Sequence, residues 1–245
     1  MLTTHATWER ENLGTEAYEL FLNADDSIEE FENEEKRLIE LGAKYIVVKT
    51  PVNVQHLIFG LANLGYVFVE MVFHVMIKRN EYSMPNLIAR FDRGFTVHEI
   101  NSVEDNARVE SKIRNGIFVN DRISIDPEFT LELSSNRYVN WLRSMRENGA
   151  TLYEVRLKEK EIGFFVIMRK DDKTVDPVLM GLYDEGNDRG MGAILHKKTL
   201  DTCFEHECAQ LTSTIVSNNA KVLRVYVNAG ATITDTLYTY VKHIK

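Results

Sequence analysis

Cysteine is almost missing from this 245-residue chain. Two residues cannot build a disulfide framework, and a reducing, cytoplasmic location is the default expectation. No apolar run approaches the roughly 18 residues of a membrane span, so none is expected. The opening MLTTHATWERENLG lacks the basic-then-apolar order of a secretory leader. Basic residues are in deficit, with 29 Lys and Arg against 37 Asp and Glu and a formal charge of −8. Nucleic acid is therefore not expected as the main partner, because neutralising phosphates needs clustered cations. By the same deficit, an anionic ligand must be held by local geometry and not by the overall field.

Several motifs are missing too. There is no G-K-[ST] for a nucleoside triphosphate, and a G-x-G-x-x-G reading would need its third glycine at Leu195. No G-x-S-x-G elbow and no Ser–His–Asp order is found. Cys203, His206 and Cys208 have a metal-like spacing, but they straddle a predicted helix end with no fourth ligand nearby, and no metal is expected. Internal repeats and low-complexity linkers are also lacking. What remains is 44% hydrophobic and 27% charged, the composition of an ordinary globular protein forming one large domain or two small ones.

Hydrophobic periodicity gives the order of elements. Asp25–Leu41 reads as an acidic helix with an apolar stripe of Ile28, Phe31, Leu38 and Leu41, ended by Gly42. Ala43–Thr50 reads as a buried strand, residues 54–65 as a short helix, and Tyr66–Ile77 as a further strand. Glu70 lies within that strand with only apolar immediate neighbours. It is either outward-facing or salt-bridged, or partly buried with a raised pKa that would suit a proton acceptor. Arg90–Ile100 is expected to be a strand, and Ser102–Arg114 a helix capped by Ser102. Gly116–Thr130 reads as a long loop and Ser134–Glu147 as an amphipathic helix. A hairpin, Thr151–Leu157 and Glu161–Arg169, then leads to a strand over Val175–Tyr183. The seam between an N-terminal α/β subdomain, 1–105, and a second domain, 106–245, is expected near residues 100–115.

The stretch Gly181–Gly192, GLYDEGNDRGMG, joins that strand to a helix over Ala193–Glu207. The first amides of a helix have no internal partner, and the helix dipole adds positive potential there. Gly190 and Gly192 carry no Cβ, so an anion can approach that backbone, and Arg189 can add a charged contact. The physical expectation is a seat for a pyrophosphate. A strand over Ala209–Ser217, a helix over Asn219–Gly230 and a Thr- and Tyr-rich strand over Ala231–Tyr240 complete the chain.

This order resembles that of the Gcn5-related N-acetyltransferases (GNAT family). Residues 187–192, NDRGMG, are similar to the family's acetyl-CoA loop Q/R-x-x-G-x-G/A, except that Asn187 stands where Gln or Arg is usual. Asn219, followed seven residues later by Tyr226, and Gly230 beyond that helix, match two further family features. Ser217–Tyr240 and the opening Thr7–Gly14 are similar to members that acetylate nucleotide-linked amino sugars. The resemblance implies a mixed, mostly antiparallel α/β (α+β) sheet flanked by helices. It implies acetyl-CoA as cosubstrate, a small amine as acceptor and a homodimer as a common assembly. It also implies that Leu182, Asn187, Arg189, Gly190, Met191, Gly192 and Ala193 hold pantetheine and pyrophosphate, that Asn219 fixes the pantetheine arm, that Tyr226 is the general acid and that Glu70 is the candidate base.

Overall fold

The structure, a computed structural model, describes residues 1–183 and 190–245. In chain order the elements are β1 (Leu2–His5), α1 (Thr7–Leu13), β2 (Ala17–Phe21), α2 (Ile28–Glu40), β3 (Tyr45–Pro51), α3 (Gln55–Asn63) and β4 (Val67–Lys78). They continue with α4 (Asn86–Phe91), β5 (Phe95–Glu99), α5 (Val103–Arg114), α6 (Leu131–Glu147), β6 (Thr151–Leu157), β7 (Lys160–Arg169) and β8 (Thr174–Leu182). The last are α7 (Met191–Glu205), β9 (Gln210–Val216), α8 (Ala220–Asn228) and β10 (Thr232–His243). This is the mixed, mostly antiparallel α/β architecture expected from the sequence.

Two compact units divide the chain. The first holds residues 1–73, 216–218 and 235–245, and the second 74–215 and 219–234. This grouping differs from the expected 1–105 and 106–245. The cause is topological, because the last strand returns to the first unit. β10 pairs antiparallel with β3 from Leu237↔Pro51 to His243↔Tyr45. A return over some 190 residues leaves no trace in local composition.

In the first unit the strand order runs β1-β2-β3-β10-β4, with β2 and β3 parallel. Buried Leu20, Ile46, Val48 and Tyr240 from the strands meet Phe31 and Leu38 of α2 and Leu57 and Leu61 of α3. α2 begins with a reciprocal capping box, in which the Glu30 amide donates to Ser27 Oγ and the Ser27 amide to the Glu30 carboxylate. The expected apolar stripe needs correction at one end. Leu41 is exposed, while Glu35 is buried and accepts a 2.7 Å ion pair from Lys242.

In the second unit the order is β4-β9-β8-β7-β6-β5. One core cluster joins Leu152, Phe164, Val166 and Leu179 of the strands to Val109 and Ile113 of α5 and Tyr138, Val139, Leu142 and Met145 of α6. Ser102 caps α5 through the Asp105 amide at 3.0 Å, as expected. The expected strand over Arg90–Ile100 is a helix end followed by a shorter strand, since α4 runs to Phe91 and β5 begins at Phe95. Pro85, at the position before α4, fixes the helix entry that the apolar pattern alone did not show.

Candidate functional site

β8 is a strand with two unlike edges. Along one it pairs with β7, antiparallel, as far as Gly163↔Leu182. The register shifts between Val166 and Ile167, which face Leu179 and Pro177, so Val178 is an extra, bulged residue. Along the other edge it meets β9 in parallel, but only at Thr174↔Gln210 and Val175↔Leu211. Both strands continue beyond those pairs, β8 to Leu182 and β9 to Val216. Two parallel strands that part in this way open a wedge. Backbone donors and acceptors along its sides are then available to an extended ligand.

α7 begins near the carboxyl end of β8, and open α/β sheets commonly bind ligands at the carboxyl ends of parallel strands. Gly190 stands at the cap of α7 with φ 91°, a left-handed conformation that a side chain would strain. Its carbonyl accepts from the Ala193 amide at 3.1 Å, which leaves Met191 and Gly192 at the helix start without intrahelical acceptors. Leu182 Cδ1 lies in van der Waals range of the position a Cβ on Gly192 would take, 3.6 Å away. Leu182, Gly190, Met191, Gly192 and Ala193 are thus close together at the mouth of the wedge. The anticipated contributors Asn187 and Arg189 lie outside the described residues.

Tyr226, on α8, belongs to the second unit, and Glu70, on β4, to the first. Both are buried, at 0% and 3% exposure. The Tyr226 side chain, expected as the general acid, is wholly enclosed. Its ring meets the His196 ring of α7 edge to face, with centroids 5.8 Å apart. Burial raises the phenol's pKa, reinforced by Cys203 and opposed by the nearby Ser213 hydroxyl. His196 is also enclosed, and burial alone lowers its imidazole pKa to about 4. Asn219 sits at the cap of α8, partly buried, and makes no side-chain capping bond.

Sequence reasoning missed three features of this region. His196, on α7, is buried. Asp176 is buried where β8 and β9 part, with its carboxyl pKa raised by burial although Lys170 lies 2.5 Å away. Tyr183, the last described residue before the loop, donates from its hydroxyl to Glu154 at 2.9 Å. Glu154 is 0% exposed and also accepts from Arg108 at 2.8 Å and Arg156 at 2.7 Å. An acidic residue in the apolar alternation of β6 was the available signal. The metal-like trio resolves into other contacts: the Cys208 thiol donates to the Cys203 carbonyl, and His206 lies 3.0 Å from the Tyr153 hydroxyl.

Compared as a sequence, the chain matches no family model and no curated protein. Compared as a structure, it is similar to a conserved Staphylococcus epidermidis protein of unknown function, with a TM-score of 0.59 and 14% identity, over 94% of this chain and 85% of that one. A GCN5-related N-acetyltransferase from Kribbella flavida gives a TM-score of 0.57 at 12% identity, over 93% and 81%. A tandem GNAT protein of the clavulanic acid biosynthesis pathway gives 0.55 at 10% identity, over 87% and 68%. At these identities the likeness is one of fold, and that fold is the one shared by the GCN5-related N-acetyltransferases.

Proposed function

We propose that the chain is an acetyl-CoA-dependent N-acetyltransferase acting on a small amine, with a nucleotide-linked amino sugar as the favoured acceptor. The observation that carries this reading is the wedge between β8 and β9, which ends at the amides that open α7. An extended pantetheine arm suits the separated strand edges, and a pyrophosphate suits the helix start. Leu182, Asn187, Arg189, Gly190, Met191, Gly192 and Ala193 are assigned to the cosubstrate, and Asn219 to its pantetheine arm. The amino-sugar acceptor rests on the resemblance of Ser217–Tyr240 to the bacterial TDP-fucosamine N-acetyltransferase.

The chemistry is direct transfer. A neutral amine attacks the thioester carbonyl, the C–S bond breaks with its electron pair going to sulfur, and the departing thiolate takes a proton. Tyr226 is assigned as that proton donor. Glu70, directly or through water, is assigned to deprotonate the incoming ammonium. Each such group typically contributes about a hundred- to ten-thousand-fold. Replacing Tyr226 by Phe is expected to lower turnover at least about tenfold with acetyl-CoA affinity nearly unchanged. Glu70→Gln is expected to act in the same direction.

The enclosure of Tyr226 favours a second reading, an acyl-CoA-binding or regulatory protein that performs no transfer. Thiol release from acetyl-CoA across a panel of amines separates the two. The panel includes nucleotide-linked amino sugars, aminoglycosides and peptide N-termini, so it also decides among acceptors. Binding of CoA without turnover of any amine supports the second reading, and failure to bind CoA removes both.

A further inference from the structure

The sheet face that carries α5 and α6 changes character partway across. Over β6, β7 and β8 it is apolar, with Leu152, Phe164, Val166 and Leu179 packed under the two helices. Met168 continues that row along β7 and pairs with Asp176 of β8, so Asp176 points to the same face. From there on the face is polar. Thr174 pairs with Gln210 of β9, and alternation then brings Thr212 and Thr214 to this face as well. His74 of β4 lies beyond them, its Nδ1 3.3 Å from the Thr214 hydroxyl. Thr212 and His74 are half-buried, and Thr214 is exposed.

Asp176 stands at the closed end of the β8/β9 wedge and is 6% exposed. Among the described residues its carboxyl pairs with one cation, Lys170, at 2.5 Å. The same Lys170 ammonium donates to the Thr212 hydroxyl at 3.1 Å. Lys170 comes from the turn between β7 and β8, and its side chain is 48% exposed. A flexible, half-solvated cation therefore covers a carboxylate that the fold holds fixed. Burial still disfavours the charged form of that carboxylate, although Lys170 and His74 both oppose the effect. We propose that Asp176 and Thr212 form the docking site for the acceptor's ammonium group, which Lys170 occupies in the free protein and vacates when the acceptor binds. Thr214 and His74, next along the same face, offer hydrogen bonds to hydroxyl groups beside that amine. An amino sugar uses them, whereas a simple alkylamine does not. A resident ammonium lowers the apparent affinity for an incoming one by the fraction of time that the carboxylate is free.

The word acceptor rests on the proposed acetyl transfer, but binding of an ammonium can be measured without turnover. Titration calorimetry at pH 7 uses glucosamine as the probe and N-acetylglucosamine as its uncharged counterpart. Wild type is expected to prefer glucosamine, and Asp176→Asn to weaken its binding at least about tenfold. Lys170→Met is expected to tighten it about three- to tenfold, the opposite of what loss of a merely structural ion pair would give. In the Asp176→Asn background, Lys170→Met should change nothing, because the lysine acts only through the carboxylate. A gain of equal size in that background would mean general charge repulsion and overturns the displacement. Weaker binding by Lys170→Met, equal binding of the two sugars, or no glucosamine binding by wild type and Lys170→Met overturns the docking site. Should Asp176→Asn fail to fold, Thr212→Val removes the second contact and is expected to weaken binding several-fold. If wild type turns over an amine, the same variants are expected to move KM for the amine and not KM for acetyl-CoA. Turnover with an unchanged amine KM in Asp176→Asn would leave the transfer standing and remove the docking site. Glucosamine binding without turnover of any amine counts against the transfer alone.

Discussion

His196 is held neutral by the fold, and that neutrality has a measurable consequence. Burial lowers its pKa from 6.5 to about 4. Between these values the unfolded chain binds a proton at this site that the folded chain does not. Stability from this group is therefore fully present above about pH 6.5 and is lost as the pH falls toward 4, by up to about 3 kcal/mol. His196→Leu is expected to remove that component. Urea denaturation of both proteins at pH 7.0, 5.5 and 4.5 reads it as a stability difference that shifts in favour of the variant as the pH falls. Asp176, whose carboxyl is raised by burial, works in the opposite direction, but it is common to both proteins and drops out of the comparison. A difference independent of pH would mean that the imidazole is accessible to protons in the folded state. Glycine spacing singled out Gly190, and the family resemblance singled out Tyr226 and Gly230. Spacing along a helix does not say what lies opposite, so the enclosure of Tyr226 by His196 was not legible. Gly230 was read as a helix terminator. It also passes so close to the Glu81 carbonyl that a Cβ there would overlap it, at φ 96°. Gly230→Ala is thus expected to cost about 1–3 kcal/mol, readable as a lowered melting temperature.

At the scale of elements, local signals carried most of the assignment. The Ser102 cap of α5, the β6–β7 hairpin and the change from strand to helix around Gly190 all depend on neighbours a few residues apart. Contacts between distant elements were not legible. Nothing in TLYEVRL shows that Glu154 would be sealed against Arg108 of α5 and Tyr183 beyond β8. A carboxylate in an alternating strand is ordinarily placed on the wet face. Sealed as it is, Glu154 fixes the point at which the chain leaves β8 for the proposed phosphate-binding loop. Glu154→Leu leaves two guanidinium groups, each about a third exposed, without their shared acceptor. The expected loss is about 2–4 kcal/mol, below that of a fully buried pair because water reaches both arginines. Tyr183→Phe removes a single bond to a charged acceptor and is expected to cost less, about 1–2 kcal/mol. Melting temperatures should fall in that order. A larger effect at Tyr183 would place the weight on its stacking with Phe164, 6.1 Å between centroids, instead of on the carboxylate.

At the scale of the whole chain, the decisive feature is the return of β10 to the first unit. It follows that residues 1–73 do not contain their own complete core. Without residues 235–245, β3 keeps β2 on one edge and loses its partner on the other from Tyr45 to Pro51. The cluster around Leu20, Ile46 and Val48 loses Tyr240, and buried Glu35 loses Lys242. An apolar strand stripped of its neighbour in mid-sheet is an open template for pairing with other chains. A fragment of residues 1–73 is therefore expected to be unfolded or aggregated, with poor dispersion in its amide NMR spectrum. Supplying the C-terminal strand should repair it. A peptide of residues 232–245 added in trans, or the same strand joined ahead of residue 1 by a flexible linker, is expected to restore dispersed resonances and a cooperative melt. The linked form should melt higher, because the linker raises the effective concentration of the strand into the millimolar range. If the fragment folds cooperatively alone, with Tyr45 protected from solvent, β10 is only an accessory edge and the first unit is specified by its N-terminal residues.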